Sequence, residues 1–498
     1  MNVTMLLDMA VEGFGDRMVV GRHEDGLTAA GLRDRAAAGA AAIRAADADA
    51  VIYLDVNGPA FPVALFAAAR AGVPLVPVNY RLGREQLDSL LANHPKALGI
   101  AAPEQADALE RAGIPARTPA EWLEATAGGA ASDGDAQDDE GAAVVIYTSG
   151  TTSEPKGVLL RHHNLVSYVL GSVEFAGAEA GEAALVSVPP YHIAAVANVL
   201  TNLYAGRRTV VLERFTPQEW LETVRDQGIT NAMVVPTMLA RIVEAGQGTP
   251  LPGLRALAYG GAPMPTAVIE RALRNWPDVG FVNAYGLTET SSTIAVLGPE
   301  DHRTALASDD PAVRARLGSV GRVLPAVEVQ VRRPDGEPAA PGETGFICVR
   351  GEQVSAEYAG AGRLTDEQGW FDTRDQGHMD EDGYLFVGGR VDDTIIRGAE
   401  NIAPAEIEDV LLRHPSVLDA VVVGVPDDEW GQRIEAAVVI RPGSEAEGEE
   451  LRDFVRETLR GSKTPDRIAC WEELPRTPTG KLIRRHVVSR LAADSRVS

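Results

Sequence analysis

Short apolar runs alternate with longer amphipathic segments through most of the first 300 residues of the chain. The run AVIYLDV, which ends at Val56, predicts a strand, and GPAFPVALFAAARAG after it predicts a helix with many small residues. VPLVPVN and GREQLDSLLANH repeat this strand and helix pair directly afterwards. Strands that alternate with helices of about 10–15 residues are typical of parallel sheets covered by helices on both faces. We therefore predict an α/β fold for this part of the chain.

The pattern changes between Gly318 and Gly388. The segment AVEVQVRRPDGEPAAPGETGFICVRG alternates apolar and polar residues between turn signals, which is typical of antiparallel strands. Another segment with strand and helix patterns follows, from PAEIEDVLLRHPSV to AAVVIRPG. The chain is thus predicted to contain a parallel α/β region, an antiparallel region and a second α/β region, in that order.

The composition limits the class of protein. A chain of 498 residues is longer than one hydrophobic core normally serves, so two or more domains are expected. The only two cysteines, Cys348 and Cys470, lack metal-binding spacing and form no disulfide framework, as expected in a reducing cytosol. The N-terminus lacks the basic region of a signal peptide, and no apolar run reaches the roughly 18–20 residues of a membrane helix. We expect a cytoplasmic protein without a membrane span.

The charge of the chain excludes further partners. The formal net charge is −25, which repels nucleic acid and anionic membranes, so neither is an expected partner. The same field repels phosphate-bearing ligands, so any phosphate site must be built locally from amides, a metal or a few placed cations. Almost all basic residues are arginines, and the exceptions are Lys96, Lys156, Lys463 and Lys481. A flexible ammonium is suited to reach a phosphate as a point charge, which makes Lys156 and Lys481 candidates.

One loop has the chemistry of an anion site. YTSGTTSEPKG, from Tyr147 to Gly157, follows the apolar strand Ala142–Ile146 and combines glycine with hydroxyl residues. Such loops can turn backbone N–H groups and hydroxyls toward phosphate. The loop is not a Walker A motif, because Pro155 stands where the second glycine would be required. An ordinary polar turn is the alternative interpretation of the loop by itself.

Two later segments add candidates for nucleotide binding. AYGLTET, from Ala284 to Thr290, offers a tyrosine ring for stacking and the carboxylate of Glu289 for Mg²⁺. Asp375 lies in GWFDTRDQGHMDEDG and Arg390 in GYLFVGGRVDDTII, which continues that segment, and both could hold ribose hydroxyls. Taken singly, each of these residues could equally be structural, as a turn acid or a surface base.

Six segments of the chain, in order, resemble motifs of the adenylate-forming superfamily of acyl-CoA synthetases, firefly-luciferase-like enzymes and peptide-synthetase adenylation domains. The phosphate loop is the first of them, and PPYHIAAVAN resembles the aromatic segment beside the acyl pocket. AYGGAPMP resembles the adenine and acyl-wall strand, and AYGLTE the adenine and metal motif. FDTRD with GRVDDTI resembles the ribose grip and hinge, and PRTPTGK the catalytic-lysine motif. The resemblance covers nearly the whole chain.

The resemblance implies a specific architecture. Residues 1–391 would form a large N-terminal adenylation domain of two parallel α/β lobes plus a small β-barrel-like subdomain. Residues 392–498 would form a small, mobile α+β C-terminal domain that carries the catalytic lysine, with a hinge at Asp392. The resemblance is compatible with a homodimer and implies nothing further about the oligomeric state.

The resemblance also implies a two-step reaction that uses ATP, Mg²⁺ and CoA. The carboxylate of an acid attacks the α-phosphate of ATP to give acyl-AMP and pyrophosphate, and a thiol then displaces AMP. Lys481 would bridge the carboxylate and the α-phosphate, Thr288 would contact the α-phosphate, and Glu289 would hold Mg²⁺. Positioning and charge stabilisation would then account for catalysis without a protein nucleophile.

The resemblance assigns the binding residues of the site in three groups. The ATP-binding residues would be Thr148, Ser149, Gly150, Thr151, Thr152, Lys156, Gly261, Ala262, Tyr285, Asp375 and Arg390. Tyr285 would stack on adenine, while Asp375 and Arg390 would hold the ribose. The acyl pocket would draw on His192, Ile193, Ala197, Val235, Pro236, Ala258, Tyr259 and Ser291, and the CoA tunnel on Gly398 and Ala399.

The chain departs from the superfamily pattern at four positions. Ser153 replaces a glycine of the phosphate loop, and Glu154 adds an acid there. Arg374 stands where a glycine usually precedes the ribose aspartate, and Ala399 replaces a glycine of the tunnel. The extra methyl group of Ala399 narrows the tunnel, so the departures bear more on the thiol step than on adenylation.

The thiol acceptor and the acid define the functional alternatives. A CoA ligase is favoured, an enzyme that loads a carrier protein is the alternative, and a third is a binding protein without catalysis. The predicted pocket residues are mostly apolar and several are small, which favours a bulky or long apolar acid: an aryl acid, a medium-chain fatty acid, or a polycyclic acid of the natural-product type. None of them is an arginine that could pair with a second carboxylate, so a dicarboxylate is disfavoured.

Overall fold

A computed structural model describes residues 1–128, 140–148, 156–397, 400–427, 431–459, 461–477 and 482–494 of the chain. The helices of the described residues are α1 (Thr4–Phe14), α2 (Ala29–Ala45), α3 (Ala60–Ala71), α4 (Arg84–Leu91), α5 (Ala106–Arg111), α6 (Pro119–Thr126), α7 (His162–Ser172), α8 (Ile193–Ala205), α9 (Pro217–Asp226), α10 (Pro236–Ala245), α11 (Thr266–Asn275), α12 (Pro299–Ala307), α13 (Pro311–Ala315), α14 (Pro404–Arg413), α15 (Gly448–Thr458) and α16 (Arg484–Asp494).

The strands are given in chain order. They are β1 (Met18–Val20), β2 (Leu27–Thr28), β3 (Val51–Leu54), β4 (Leu75–Pro77), β5 (Leu98–Ala101), β6 (Ala116–Arg117), β7 (Ala142–Thr148), β8 (Lys156–Arg161), β9 (Ala183–Val186), β10 (Arg208–Val211), β11 (Asn231–Val234), β12 (Ala256–Gly260), β13 (Gly280–Leu287), β14 (Ser292–Leu297), β15 (Arg322–Val323), β16 (Glu328–Arg332), β17 (Gly345–Arg350), β18 (Glu357–Tyr358), β19 (Gly362–Arg363), β20 (Phe371–Met379), β21 (Leu385–Arg390), β22 (Ile395–Arg397), β23 (Glu400–Ile402), β24 (Val417–Asp427), β25 (Gly431–Ile440) and β26 (Arg467–Cys470).

Local sequence signals explain where several helices begin and end. Thr118 caps α6, since its hydroxyl accepts a hydrogen bond from the Glu121 N–H while the Glu121 carboxylate accepts one from the Thr118 N–H. Helices α3 and α8 each end at a glycine in the left-handed conformation, Gly72 with φ 78° and Gly206 with φ 77°. The strand and helix predicted around Val56 are β3 and α3, which confirms the predicted alternation.

Two large sheets form the N-terminal part of the molecule. One has the strand order β19-β18-β8-β7-β4-β3-β5-β6, in which β7, β4, β3, β5 and β6 are parallel neighbours. The other has the order β15-β14-β13-β12-β11-β9-β10-β1-β2, in which β13, β12, β11, β9, β10 and β1 are parallel neighbours. This confirms the two predicted parallel lobes. The lobes are not consecutive in sequence, however, because β1 and β2 join the second sheet.

The largest core lies between the two sheets. Helix α3 is buried along its whole length and shares this core with α8 and with strand residues of both sheets. A helix that is apolar on all sides is stable only when it is covered on all sides. The small side chains predicted for this helix therefore allow it to pack between the lobes.

A third sheet is antiparallel, as the alternating pattern predicts. Its strand order is β16-β17-β20-β21, and its inner face packs on Ile294 and Ala295 of β14. The predicted barrel-like subdomain is thus, over the described residues, an open four-stranded sheet. This inner face is covered by β14 of the second lobe, so the core can be completed without pairing β16 to β21.

The C-terminal part has cores of its own. Strands β24 and β25 are antiparallel and β25 and β26 parallel, so the region is α+β. Helices α14 and α15 pack on one face of this sheet and α16 on the other. Contact with the N-terminal part includes a hydrogen bond of 3.2 Å from the Thr266 hydroxyl to Asp409 of α14.

Candidate active site

The site begins where β13 ends. The strand continues through Tyr285 and Gly286 into a 3-10 turn, Thr288–Thr290, which carries Glu289. A Cβ atom on Gly286 would lie 1.8 Å from the Ser292 carbonyl oxygen of the neighbouring β14. Only glycine permits this close approach, and the turn that follows lies against β8.

The predicted adenine and ribose residues are brought together. The Tyr285 hydroxyl donates a hydrogen bond of 2.6 Å to Asp375 Oδ2. Asp375 and Arg390 are direct cross-strand partners on β20 and β21, and Arg390 Nε lies 3.9 Å from Asp375 Oδ1. Burial, with the Asp375 carboxylate beside it, raises the pKa of Tyr285 well above its ordinary value, so the hydroxyl stays protonated and donates. These residues therefore form one polar group at the edge of two sheets.

Glu289 has a partner that the sequence did not indicate. The Tyr358 hydroxyl donates a hydrogen bond of 2.6 Å to Glu289 Oε1. Both residues are half-buried, and no side chain of the described residues donates a hydrogen bond to the other carboxylate oxygen, Oε2. Among the described residues no group of three potential metal ligands occurs. One carboxylate oxygen fits Mg²⁺, which is usually held by one or two carboxylates together with substrate phosphates and water.

The base of the phosphate loop lies beside this turn. Thr148 ends β7 and Lys156 begins β8, and the two are cross-strand partners, so the ends of the loop are held together. Lys156 is exposed, and Thr148 is half-buried. The other loop residues of the prediction, Ser149, Gly150, Thr151 and Thr152, lie outside the described residues, as do Gly398, Ala399 and Lys481.

The predicted adenine strand lies next to β13. Gly260 ends β12 so close to β13 that a Cβ atom would be 2.2 Å from the Ala284 carbonyl oxygen. Gly261 follows with a φ of 81°, in the left-handed region, and Ala262 is half-buried beside it. The chain therefore leaves the sheet at this point, close to the polar group of Tyr285.

Most of the predicted acyl-pocket residues lie at the ends of α8, α10 and β12. His192 and Ile193 are half-buried at the start of α8, and Ala197 is buried one turn later. Val235 and Pro236 begin α10. Ser291 is fully buried with a φ of 56°, and its hydroxyl has no hydrogen-bond partner among the described residues.

Tyr259 has a different position from the predicted one. It is fully buried in the core of the second lobe, and its hydroxyl bonds to His302 Nε2 at 2.8 Å. Ala258, the preceding residue of β12, is half-buried. Because successive residues of a strand point to opposite faces, Ala258 and Tyr259 cannot both line one wall. The structure thus places the Tyr259 side chain in the core behind the strand.

A cavity of about 710 Å³ lies between the lobes and the C-terminal part. Val235 of the predicted acyl pocket lines it, and Thr477, four residues before Lys481, lies at its rim. Its charged lining was not predicted from the sequence and consists of Arg81, Arg214, Arg241, Arg476, Asp55, Glu104 and Glu213. In a chain that uses arginine for nearly every cation, no sequence signal distinguished these four.

The four arginines of the cavity differ in their partners. Arg476 is paired with Asp419 at 2.6 Å. Arg81 and Arg241 instead lie over the rings of Tyr80 and Phe215, each at 5.3 Å from the ring centre. Among the described residues, Arg81, Arg214 and Arg241 form no ion pair, and they line the cavity together with Asp55, Glu104 and Glu213.

The predicted hinge lies in a 3-10 turn, Val391–Asp393, directly after β21. Asp392 is exposed and pairs with Arg374, whose Nη2 atom lies 3.2 Å from Asp392 Oδ1. Arg374 has a φ of 64°, a conformation that favours glycine. Arg374, one of the four departures from the superfamily pattern, therefore forms an ion pair with the residue at the boundary between the two predicted domains.

Comparisons with known proteins identify the family to which the chain belongs. The model of the AMP-binding enzyme family matches residues 7–359, and that of the AMP-binding enzyme C-terminal domain matches residues 406–481. The chain is 36% identical over 488 residues to a feruloyl-CoA synthase of Amycolatopsis sp., covering 95% of this chain and 92% of that protein. It is 34% identical to the fatty acid–[acyl-carrier-protein] ligase ScoC of Streptomyces coeruleorubidus, covering 90% and 88% of the two chains.

A solved structure gives the same result at the level of the fold. The structure of o-succinylbenzoate coenzyme A synthetase from Bacillus subtilis, in complex with ATP and magnesium ion, superposes with a TM-score of 0.82 and 28% identity, covering 96% of this chain and 98% of that one.

Within the described part of the chain, no helix is sufficiently long and apolar to span a membrane.

Proposed function

Because the chain belongs to the AMP-binding enzyme family, we propose that it activates an apolar acid, with aryl acids favoured, and transfers it to CoA. The enzyme is an AMP-forming acid–thiol ligase. A carboxylate oxygen of the acid attacks the α-phosphorus of ATP, and the bond to the bridging oxygen breaks to release pyrophosphate. The thiol sulfur then attacks the acyl carbon, the bond to AMP breaks, and the thiol proton is lost.

The observation that carries the adenylation site is the convergence of two tyrosine–carboxylate pairs at the end of β13. Tyr285 with Asp375 and Arg390 supports adenosine binding, with the ring against adenine and the charged pair at the ribose hydroxyls. Glu289 lies one turn further, beside β8. Mg²⁺ held there would neutralise phosphate charge, and Thr148, Lys156 and Thr288 would contact the phosphate oxygens.

Lys481 supplies the remaining charge in this proposal. The substrate carboxylate and the α-phosphate repel each other, and an ammonium between them would stabilise the charge that develops on the α-phosphate oxygens. Thr477, at the rim of the cavity, supports this role because it is only four residues away in sequence. The active site would then be completed only when the C-terminal domain is docked.

The choice of acid rests on the character of the pocket. Ala197 and Pro236 are buried, and Ile193, Val235 and Ala258 are half-buried apolar residues, so the walls suit an apolar body. Tyr259 is withdrawn into the core, which leaves the small Ala258 to face the acid. The similarity to a feruloyl-CoA synthase is consistent with an aryl acid.

The choice of CoA rests on the arginines of the cavity. Arg81, Arg214 and Arg241 line the cavity beside the acyl pocket, in a protein whose net charge is −25. The carboxylates of Asp55, Glu104 and Glu213 line the same cavity, so CoA is favoured by the guanidinium groups themselves and not by the net charge of the lining. CoA carries several phosphate charges, and arginine binds phosphate in a forked geometry. A carrier protein would present its phosphopantetheine without the nucleotide, so these arginines would have less to bind.

A panel of carboxylic acids, scored by pyrophosphate release with wild-type enzyme, tests the acid. Aryl and medium-chain acids should release pyrophosphate, whereas release with dicarboxylates alone would contradict the apolar pocket. Thioester formation with CoA, compared with a phosphopantetheinylated carrier protein, tests the acceptor. Arg81→Ala should raise the KM for CoA, and Arg271→Ala, at an exposed arginine of α11, is the matched control.

A further inference from the structure

Tyr358 lies outside every motif that the sequence analysis identified, in the segment SAEYAGAG. Its hydroxyl nevertheless donates a hydrogen bond of 2.6 Å to Glu289 Oε1. The bond joins residues 69 positions apart and is part-buried. A phenol so placed limits how the carboxylate can rotate, because one of its two oxygens is already bonded.

The segment that carries Tyr358 is itself firmly held at the site. The N–H groups of Ser355 and Ala356 both donate to the Glu289 carbonyl oxygen, at 2.9 and 3.0 Å. The Ala359 N–H donates to the Gly157 carbonyl oxygen at 2.8 Å. The segment thus connects the turn that carries Glu289 to the strand that follows the phosphate loop.

A charged pair fixes the same short strand. The Arg161 guanidinium binds both carboxylate oxygens of Glu357, at 2.7 and 2.8 Å, next to Tyr358 in β18. Forked arginine–carboxylate pairs restrict geometry in two directions. The Tyr358 ring therefore rests on an anchored strand and does not depend on the bond to Glu289 for its position.

The chemistry of the two groups fixes the direction of the bond. An ionised carboxylate can only accept a hydrogen bond, so the Tyr358 hydroxyl donates and Glu289 Oε1 accepts.

We propose that Tyr358 is a positioning residue for Glu289: it holds Oε1 so that Oε2 is presented to the Mg²⁺ that accompanies ATP. The inference rests on the proposed role of Glu289. Outer partners of metal-binding carboxylates orient the ligand and tune its affinity, and their loss typically lowers metal affinity about 10–100-fold. Tyr358 would supply this orientation without touching substrate.

Tyr358→Phe tests the inference because it removes the hydroxyl and keeps the ring. Tyr384→Phe is the matched control, since the Tyr384 hydroxyl donates a bond of the same length, 2.6 Å, to Asp301. The measurement is the rise in melting temperature that a fixed concentration of ATP produces across a series of Mg²⁺ concentrations, without any acid. We expect Tyr358→Phe to need about tenfold more Mg²⁺ for the half-maximal rise, and Tyr384→Phe to need the wild-type concentration.

The outcomes separate the inference from the proposed function. If ATP stabilises the wild-type enzyme equally with and without Mg²⁺, the metal role of Glu289 is wrong. If the wild-type enzyme depends on Mg²⁺ and Tyr358→Phe shows the same dependence, the positioning role of Tyr358 is overturned while the metal role of Glu289 stands. The positioning role of Tyr358 is supported if Tyr358→Phe needs more Mg²⁺ than wild type while Tyr384→Phe does not. The two variants should then have equal melting temperatures without ligand.

Discussion

The end of β13 and the boundary at Asp392 both join carboxylates to partner side chains, but they do so differently. At β13 the bonds are short tyrosine–carboxylate contacts of 2.6 Å in half-buried surroundings. At the boundary, Arg374 pairs with the exposed Asp392 at 3.2 Å, and the Arg374 side chain is 54% exposed. Hydrogen bonds in low-dielectric surroundings are stronger, whereas exposed ion pairs contribute about 0–1 kcal/mol.

This difference suits the two tasks that we propose for the regions. A nucleotide site must hold its groups in one arrangement, whereas a domain boundary that alternates between half-reactions must exchange its contacts at little cost. Contacts near the boundary, such as that from the Thr394 hydroxyl to Gln376 at 3.2 Å, are of the exchangeable kind. Four predictions test whether the contrast is functional.

The largest effect is expected for Lys481→Ala. Loss of a charge that stabilises the transition state typically costs about 10²–10³ in rate, and a bridging ammonium should cost at least that in acyl-AMP formation. Thioester formation from supplied acyl-AMP should survive. Rates of the two half-reactions, measured separately, check this, with Lys463→Ala as the control because Lys463 pairs with Glu406. Equal loss in both half-reactions would contradict the role.

Glu289→Gln should reduce adenylation by about a hundredfold, because the shape is kept while the charge that holds Mg²⁺ is removed. Excess Mg²⁺ should restore part of the activity. Pyrophosphate exchange measured over a series of Mg²⁺ concentrations checks this. A variant that no Mg²⁺ concentration rescues would indicate a structural carboxylate.

Asp392→Pro should affect the opposite half-reaction from Lys481→Ala. Proline fixes φ near −65° and removes an N–H, which would restrict rotation at the proposed hinge. We expect most of the adenylation rate to remain and thioester formation to fall about tenfold or more. The same pair of half-reaction assays checks this, and undiminished thioester formation would exclude a hinge at Asp392.

The smallest effect is expected for Arg374→Gly, which removes the pair with Asp392 and the left-handed strain together. The two changes oppose each other, so the free energy of unfolding should stay within about 1 kcal/mol of wild type. Thioester formation should rise by no more than about fivefold, and the difference should vanish at high salt. A larger loss of adenylation in Arg374→Gly than in Glu289→Gln would invert the contrast between the two regions.

Local patterns in the sequence were sufficient for much of the fold. The alternation around Val56 predicted β3 and α3, and the change of pattern after Gly318 predicted the antiparallel sheet, because both depend on the periodicity of neighbouring residues. The periodicity of neighbouring residues could not show that β1 and β2 pair with the strands of the second lobe. Partner strands are chosen by contacts between residues far apart in sequence, such as Val20 with Thr209.

The candidate site shows the same division. Glycine, hydroxyl and carboxylate residues at strand ends indicated the phosphate loop and the turn with Glu289, since that chemistry is local and specific. Side chains alternate between the two faces of a strand, so the orientation of Tyr259 can be deduced only once its neighbour Ala258 has been assigned to the pocket face of the sheet. Its misplacement in the pocket is therefore a matter of register and not of residue type.

The chain's motifs predicted which residue types would bind nucleotide, but the partners of those residues depended on tertiary structure. Tyr358 is 69 residues from Glu289 in sequence, yet the two side chains share a hydrogen bond. Arg81, Arg241 and Arg476 belong to the two lobes and the C-terminal part, yet all three line one cavity. Spacing along the chain carries no signal for such contacts. They arise only when two sheets and a separate C-terminal part pack against one another, because packing decides which distant side chains share a surface.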